Sequence, residues 1–330
     1  MRASTYRFIV DDMPLQHFCP RGEMQRFEGV SFSTSGDLLG IATADTNSIL
    51  LFRRKNDGRF DPNPFLSLGG PSSGIDYPHD LSFSRRGETE LLAVAQRAGA
   101  IAIYQGDQSG HFSAEPIQEI RGPEAKLNYS DGVAFVPPHE EHLAACNLQL
   151  GTVTFFRRLP RSPVRFDVVP QFELRHSSMC SPDGLAFSRC GRWLATANHG
   201  NHSVSIFKRR SKLLTGGMLR YGPEPAAIIS DPQLRHPHSV AFTPRNQLIV
   251  TNAGANYFSL YSSRKGLWNL RWSEFASLQK TVNDEDAFRE VNAGNKMEGG
   301  PKGIATHGNT IAVCSPEIGI KLYSFREVAT

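Results

Sequence analysis

The chain has 330 residues, of which 39% are hydrophobic and 21% charged, and a formal net charge of +4. That composition suits a folded globular chain and argues against a disordered segment or a strong polyanion binder. No apolar run approaches the roughly 18 residues of a membrane-spanning helix, and the N-terminus offers only Phe8–Val10 as an apolar run, too little for a secretory signal, so the expectation is a cytoplasmic protein with no membrane association.

The first predicted element is a strand in "TYRFIVDD", Thr5–Asp12, followed by a long connection, Met13–Phe27. From Glu28 onward the chain repeats. "EGVSFSTSGDLLGIATADTNSILLFRR" starts at Glu28, "DGLAFSRCGRWLATANHGNHSVSIFKRR" at Asp183 and "HSVAFTPRNQLIVTNAGANYFSLYSS" at His238. Further copies start at His79, Asp131 and Lys302, which makes the successive spacings 51, 52, 52, 55 and 64 residues. Each copy holds three short runs rich in Val, Ile, Leu and Phe, separated by turn residues such as Gly36, Gly87, Gly191 and Asn246. A fourth, more variable run follows in most copies, at Pro64, Glu115 and Pro170. Four strands at this period describe a blade, and six copies describe a six-bladed β-propeller in one domain, residues 1–330. A TIM barrel or a Rossmann fold would need helical patterns between the strands, and none of adequate length is present.

An insertion, roughly residues 267–300, separates the fifth and sixth copies and reads either as a lid or binding loop over one face or as a surface decoration. Its stretch "NDEDAFREVNAGNKM" starts like a helix, with Asn283 as N-cap and Gly294 as its end. The sixth copy stops after three strands, near Phe325. The N-terminal strand is expected to supply the fourth and close the ring.

Strand alternation places the first residue of every inner strand at one mouth of the central channel. Those residues are Glu28, His79, Asp131, Asp183, His238 and Lys302. The loops between second and third strands reach the same face, with Asp45, Gln96, Asn147, Asn198, His199, His202, Asn252 and Glu317. Three carboxylates packed together are unfavourable unless a cation or protons offset them. A divalent metal held by Glu28, Asp131, Asp183, His238 and His79 is one reading. Oxygen-rich ligands suit Ca, Mg or Mn, and the imidazoles draw the choice toward Mn or Zn. A purely structural ring, or a water-filled funnel, is the other. Turn formation accounts for the recurring asparagines, whereas His199 and His202 occur in no other copy.

The opposite face carries a basic rim that includes Arg53, Arg54, Lys55, Arg157, Arg158, Lys208, Arg209, Lys212, Arg264 and Lys265. Apart from Trp268 and Trp272 nearby, no aromatics are interleaved with it for base stacking, so solvated hairpin tips are expected and a nucleic acid partner is not. There is no GxSxG, HExxH or phosphate-binding glycine loop. Five cysteines without a CxxC motif read as reduced thiols; Cys180 and Cys190 flank a strand, which holds them beyond the roughly 7 Å a bridge allows.

The copies at Ser181 and Pro237 resemble the YVTN and lactonase propeller repeats, with a consensus near "PHxVAFSPDGRxLYVANxGSxSVSVF", and more distantly the NHL repeats. Six blades are usual in the gluconolactonase/regucalcin and strictosidine-synthase-like group. The resemblance implies a lactone or ester hydrolase with a channel-bound divalent metal. Glu28–Gly29 matches that group's "EG" motif, and Pro182–Asp183–Gly184 matches the "PDG" motif of its ligand and general base. Asp131 stands where the group has Asn, and His79 and His238 have no counterpart. On this reading Asp183 or a nearby histidine, His199 among them, serves as base, and Lys302 steadies an oxyanion or a substrate carboxylate. A non-catalytic propeller that binds a small ligand or a protein partner on the same face is the alternative.

Overall fold

The computed structural model of the chain describes residues 6–11, 14–18, 26–107, 109–162, 164–211, 218–263, 267–269, 273–281, 298–315 and 318–329. Cys19, Lys212, Arg264, Lys265, Trp272, Glu317 and the stretch from Asn283 to Gly294 lie outside them. Six antiparallel sheets form a propeller, and the only helices among the described residues are two single 3-10 turns, Pro123–Ala125 and His199–Asn201. Blade 1 runs Phe27–Phe32, Leu38–Thr43, Ser48–Arg53 and Leu66–Gly69 from the axis outward. The inner strands of blades 2 to 6 are Pro78–Arg86, Ser130–Phe135, Pro182–Phe187, Pro237–Phe242 and Gly303–His307. The fourth runs read from the sequence are strands Leu66–Gly69, Gln118–Ile120 and Phe172–Arg175.

Middle strands are buried on both faces because each blade packs against two neighbours. Leu38–Thr43 and Trp193–Asn198 are buried at every residue, which explains why they read as unbroken apolar runs rather than as alternation. Six clusters of aliphatic and aromatic side chains fill the blades and the spaces between them.

Blade 6 is closed as expected. Tyr6–Val10 pairs with the outer half of Gly319–Ala329, and Gln16–Phe18 pairs with its other half. One point differs from the sequence reading. Ser273–Lys280 pairs with Tyr257–Ser263 as the outer strand of blade 5, so these residues belong to a blade and not to an inserted loop. Their side chains are largely exposed, and no apolar alternation marks them. The basic rim is partly structural. Arg54 and Arg158 each bridge and lie over a phenylalanine, Phe60 and Phe166, with 4.6 and 4.5 Å from guanidinium to ring centre. The described cysteines, Cys146, Cys180, Cys190 and Cys314, are free. No described helix is long and apolar enough to cross a membrane.

Candidate functional site at the channel mouth

The sequence folds into the same local device at the start of each inner strand. In blades 1 to 5 the pairing with the second strand slips just there, between Phe27 and Val30, Pro78 and Asp80, Ser130 and Val133, Pro182 and Leu185, and Pro237 and Val240. Such a bulge re-aims a side chain, and the residues re-aimed are Glu28, His79, Asp131, Asp183 and His238. Glycine often follows for a packing reason. A Cβ on Gly29 would sit 2.6 Å from the His79 carbonyl oxygen, and one on Gly184 2.6 Å from that of His238. The "EG" and "DG" pairs are thus where successive inner strands crowd the axis.

All six ring residues are buried, none more than 3% exposed. Six basic and acidic groups at the mouth pair directly. Lys302 Nζ donates to Glu28 Oε1 and Oε2 at 3.1 and 2.9 Å and to Glu298 Oε2 at 3.1 Å. Arg26 Nε donates to Glu28 Oε1. On the far side Arg97 grips Asp131 with two bonds, Nε to Oδ1 at 2.8 Å and a terminal nitrogen to Oδ2 at 3.1 Å. That nitrogen also donates to His79 Nε2 at 2.9 Å. A guanidinium can only donate, so His79 Nε2 accepts and its Nδ1–H donates to the Asp131 carbonyl at 3.1 Å.

Three carboxylates, Glu28, Asp131 and Glu298, therefore face three cations, Arg26, Arg97 and Lys302. Asp183 has no cation paired with it among the described residues. Its Oδ2 lies 3.6 Å from His199 Nδ1 and 3.7 Å from His238 Nε2, and its Oδ1 lies 3.7 Å from His79 Nδ1. Asp183 Oδ1, His199 Nδ1 and His238 Nε2 are buried without a hydrogen-bond partner among the described residues. An unmade buried bond costs about 1–3 kcal/mol, and in a native structure such a cluster needs a reason.

Titration follows the same division. Burial opposes charge on Glu28, but Lys302 and the imidazoles hold its carboxyl well below the usual range. Burial pushes Asp131 up to about 6 against the pull of Arg97. Burial, with Asp131 adding to it, drives Asp183 well above the ordinary carboxyl range. Burial, then neighbouring His238, lowers His199 to about 4, and burial lowers His79 and His238 too. Burial thus favours the protonated form of Asp183 and the neutral form of the three imidazoles.

Two buried groups bring donor atoms within 4.8 Å of one another, Glu28–His79–His238 and His79–Asp131–Asp183, so either could hold a metal. Their partners do not suit one as arranged. Glu28, Asp131 and His79 are already bonded to Lys302, Arg26 and Arg97. The charge argument for a metal was that the carboxylates lacked cations, and the chain supplies them to Glu28 and Asp131.

The sequence placed the ring and His199 correctly at one mouth. His202 stands further out, edge-on to His236 at 4.4 Å. Gln96, Asn147, Asn198 and Asn252 face into their blades instead. Asn198 donates to Ser203 and Ser205, and Asn147 Oδ1 accepts from the Asn128 amide. Arg97, Arg26 and Glu298 were not singled out. A signal for Arg97 existed: it follows Gln96 as His199 follows Asn198. Its amide bonds the Tyr77 carbonyl at 3.1 Å as that of His199 bonds Ser181 at 3.0 Å. The position was read one residue too early.

No family model matches the chain, and no curated protein matches it by sequence. Solved structures match the fold. A Bacteroides uniformis protein provisionally described as a 6-phosphogluconolactonase superposes with TM-score 0.61 and 12% identity, over 98% of this chain and 92% of that one. Virginiamycin B lyase from Staphylococcus aureus gives 0.56 and 13% over 97% and 99%. The β-propeller domain of Myceliophteria thermophila Cps50 (Swd1) gives 0.58 and 13% over 95% and 99%. At these identities the likeness is one of architecture.

Proposed function

We propose that this propeller hydrolyses small lactones or esters at the channel mouth by acid–base chemistry of its own side chains. The observation that carries the reading is Asp183, a buried carboxyl left without a cation between two unpartnered imidazole nitrogens. Groups whose surroundings drive their titrations apart mark an acid and a base. His199 Nδ1 takes a proton from the attacking water, whereas His238 Nε2, 3.3 Å from the charged Glu28 Oε2, faces an acceptor and keeps its hydrogen. Asp183 gives its proton to the oxygen that leaves as the C–O bond breaks. His199, 15% exposed, borders the route from the mouth. Lys302 is left out of the oxyanion role, because its three N–H bonds are all engaged by Glu28 and Glu298. It holds Glu28 charged behind His238. The lactonase-like repeats and the fold shared with a lactonase-named protein support the substrate class. Free cysteines support a reducing compartment such as the cytoplasm.

A bound divalent metal is the second reading, favoured by the donor atoms within 4.8 Å. The test is turnover of a panel of lactones and esters by wild type, Asp183→Asn and His199→Gln, with and without chelator, alongside elemental analysis. Chelator-resistant turnover that falls at least about 100-fold in both variants supports the proposal. Chelator-sensitive turnover with one ion per chain favours the metal. Absence of turnover across the panel sinks both hydrolase readings and leaves ligand or partner binding at this face.

A further inference from the structure

We propose that the cavity between blades 1 and 2 binds a small ammonium ion that carries a hydroxyl oxygen, with Gln96 donating to the oxygen and Asp76 facing the charge. The inference is independent of the chemistry at the channel mouth. The cavity has a volume of about 480 Å³, and Asn47, Asp76, Gln96, Ala100, Glu119 and Arg121 help to line it. That is within the size range of small-molecule sites. None of the six ring residues borders it.

The repeat shows how blade 2 differs from its neighbours. In blades 3 and 4 a buried asparagine ends the second strand, and hydroxyls of the third strand satisfy its amide nitrogen. Asn147 Nδ2 donates to Thr152 and Thr154 at 3.2 and 3.4 Å, and Asn198 Nδ2 to Ser203 and Ser205 at 3.0 and 2.9 Å. Asn252 of blade 5 uses Ser259 at 2.9 Å in the same way. Blade 2 has Gln96 at that place and alanines opposite it. The register pairs Gln96 with Ala100, as it pairs Asn147 with Thr152 and Asn198 with Ser203. Ala102 follows two residues on, on the same face. Both hydroxyls are therefore replaced by methyl groups. Gln96 is 1% exposed, and its Nε2 is buried with no hydrogen-bond partner among the described residues. Turning the amide over would not mend this, because Oε1 accepts from the Asp76 amide at 2.6 Å, a contact that only an oxygen can make. A stranded buried donor costs about 1–3 kcal/mol, and Ala100, which strands it, is itself part of the cavity wall.

The other lining groups set the charge of the ligand. Glu119 is paired with Arg121 at 2.9 Å, whereas Asp76 has no cation paired with it among the described residues. Two carboxylates against one guanidinium leave the cavity with a net negative charge, which draws a cation and turns away a carboxylate or phosphate. The 2.6 Å bond holds Asp76 and Gln96 side by side, so one short molecule reaches both. Its hydroxyl oxygen accepts from Gln96 Nε2, and its ammonium group lies against the Asp76 carboxylate. Asn47 Oδ1 accepts from the Tyr77 amide at 2.7 Å, which fastens the blade 1 side of the cavity to the blade 2 side and organises it in advance.

The test is a proton–nitrogen correlation spectrum of the full chain labelled with nitrogen-15, titrated with ethanolamine at neutral pH, where the amine is protonated. The Gln96 side-chain amide is assigned through Gln96→Leu or, should that variant fail to fold, through its connection to the Gln96 backbone. Ethanolamine is expected to shift this amide saturably. Ethylene glycol and glycolate, its neutral and anionic analogues, are expected not to. Ala100→Ser supplies the hydroxyl that blade 4 has at Ser203, and it is expected to weaken ethanolamine binding at least about 10-fold. Asp76→Asn is expected to weaken it as well. A Gln96 amide that does not respond to ethanolamine has only water for a partner, and the proposal falls. A response that ethylene glycol or glycolate matches, or that Ala100→Ser leaves unchanged, overturns it too. No lactone or ester is turned over in this experiment, so its failure and that of the hydrolase reading are separate results.

Discussion

Asp131 and His79 both take hydrogen bonds from Arg97, so one truncation strands two buried polar groups. Arg97→Ala is expected to destabilise the fold by about 3–5 kcal/mol, the range for breaking a buried pair from one side. Adding Asp131→Asn should recover part of that loss; urea denaturation of the single and double variants measures both. His199 gives a pH signature. Its folded value is lowered to about 4 from an ordinary 6.5, with burial the largest cause. Between those values the unfolded chain binds the proton and the folded chain does not. Stability therefore falls as pH drops from 6.5 toward 4, by up to about 3 kcal/mol. Asp131 slopes the opposite way, since its folded value of about 6 stands above its unfolded one. Comparing wild type with His199→Gln across that window isolates the histidine, and two parallel curves would remove its buried, neutral state. The six ring residues were legible in sequence because each opens an apolar run. Their electrostatic partners were not. Glu298 lies 270 residues from Glu28 in sequence, and only ring closure brings them to one ammonium.

At the scale of a strand, the glycine that follows a ring residue answers to its neighbour blade. Gly184→Ala puts a methyl group 2.6 Å from the His238 carbonyl oxygen and 2.7 Å from the Ser239 Cα, both backbone atoms that cannot rotate away. The expected loss is about 3 kcal/mol, at the upper end of overpacking, accompanied by displacement of His238. Gly87→Ala is the control: Gly87, unlike Gly184, has a positive φ, yet a Cβ there meets nothing within 4 Å. It should lose only about 1–2 kcal/mol of left-handed strain; equal losses in the two thermal melts would show that the axis is looser than drawn. The element pattern was readable because three runs per blade repeat. Ser273–Lys280 escaped because an outermost strand packs on one side only and keeps no apolar face.

The closed ring depends on where the last sheet finds its fourth strand. Blade 2 shows how neighbours are fastened: Gln118, on its outer strand, donates to the Phe166 carbonyl at 2.7 Å and accepts from the Phe166 amide at 2.9 Å. Gln16 repeats both bonds, at 2.7 and 2.9 Å, with Phe60 of blade 1. The N-terminal segment thus completes blade 6 and ties it to blade 1 in one stroke. Phe18 adds an edge-on contact with Phe52 at 5.3 Å. Removing residues 1–18 strips the outer pairing from Gly319–Ala329 and leaves a long edge with Ile320 and Leu322 newly exposed. That variant is expected to aggregate or lose its cooperative transition, as seen by size-exclusion chromatography and thermal circular dichroism. Gln16→Ala removes only the two clasp bonds and should fold with a deficit of about 1–3 kcal/mol. The ring site includes the seam of blades 6 and 1, where Lys302 meets Glu28. If closure positions it, the truncated chain must lose the Asp183 chemistry even in whatever fraction stays soluble, whereas Gln16→Ala retains it. A soluble, cooperative and fully competent chain without residues 1–18 would mean the six blades hold their circle unaided.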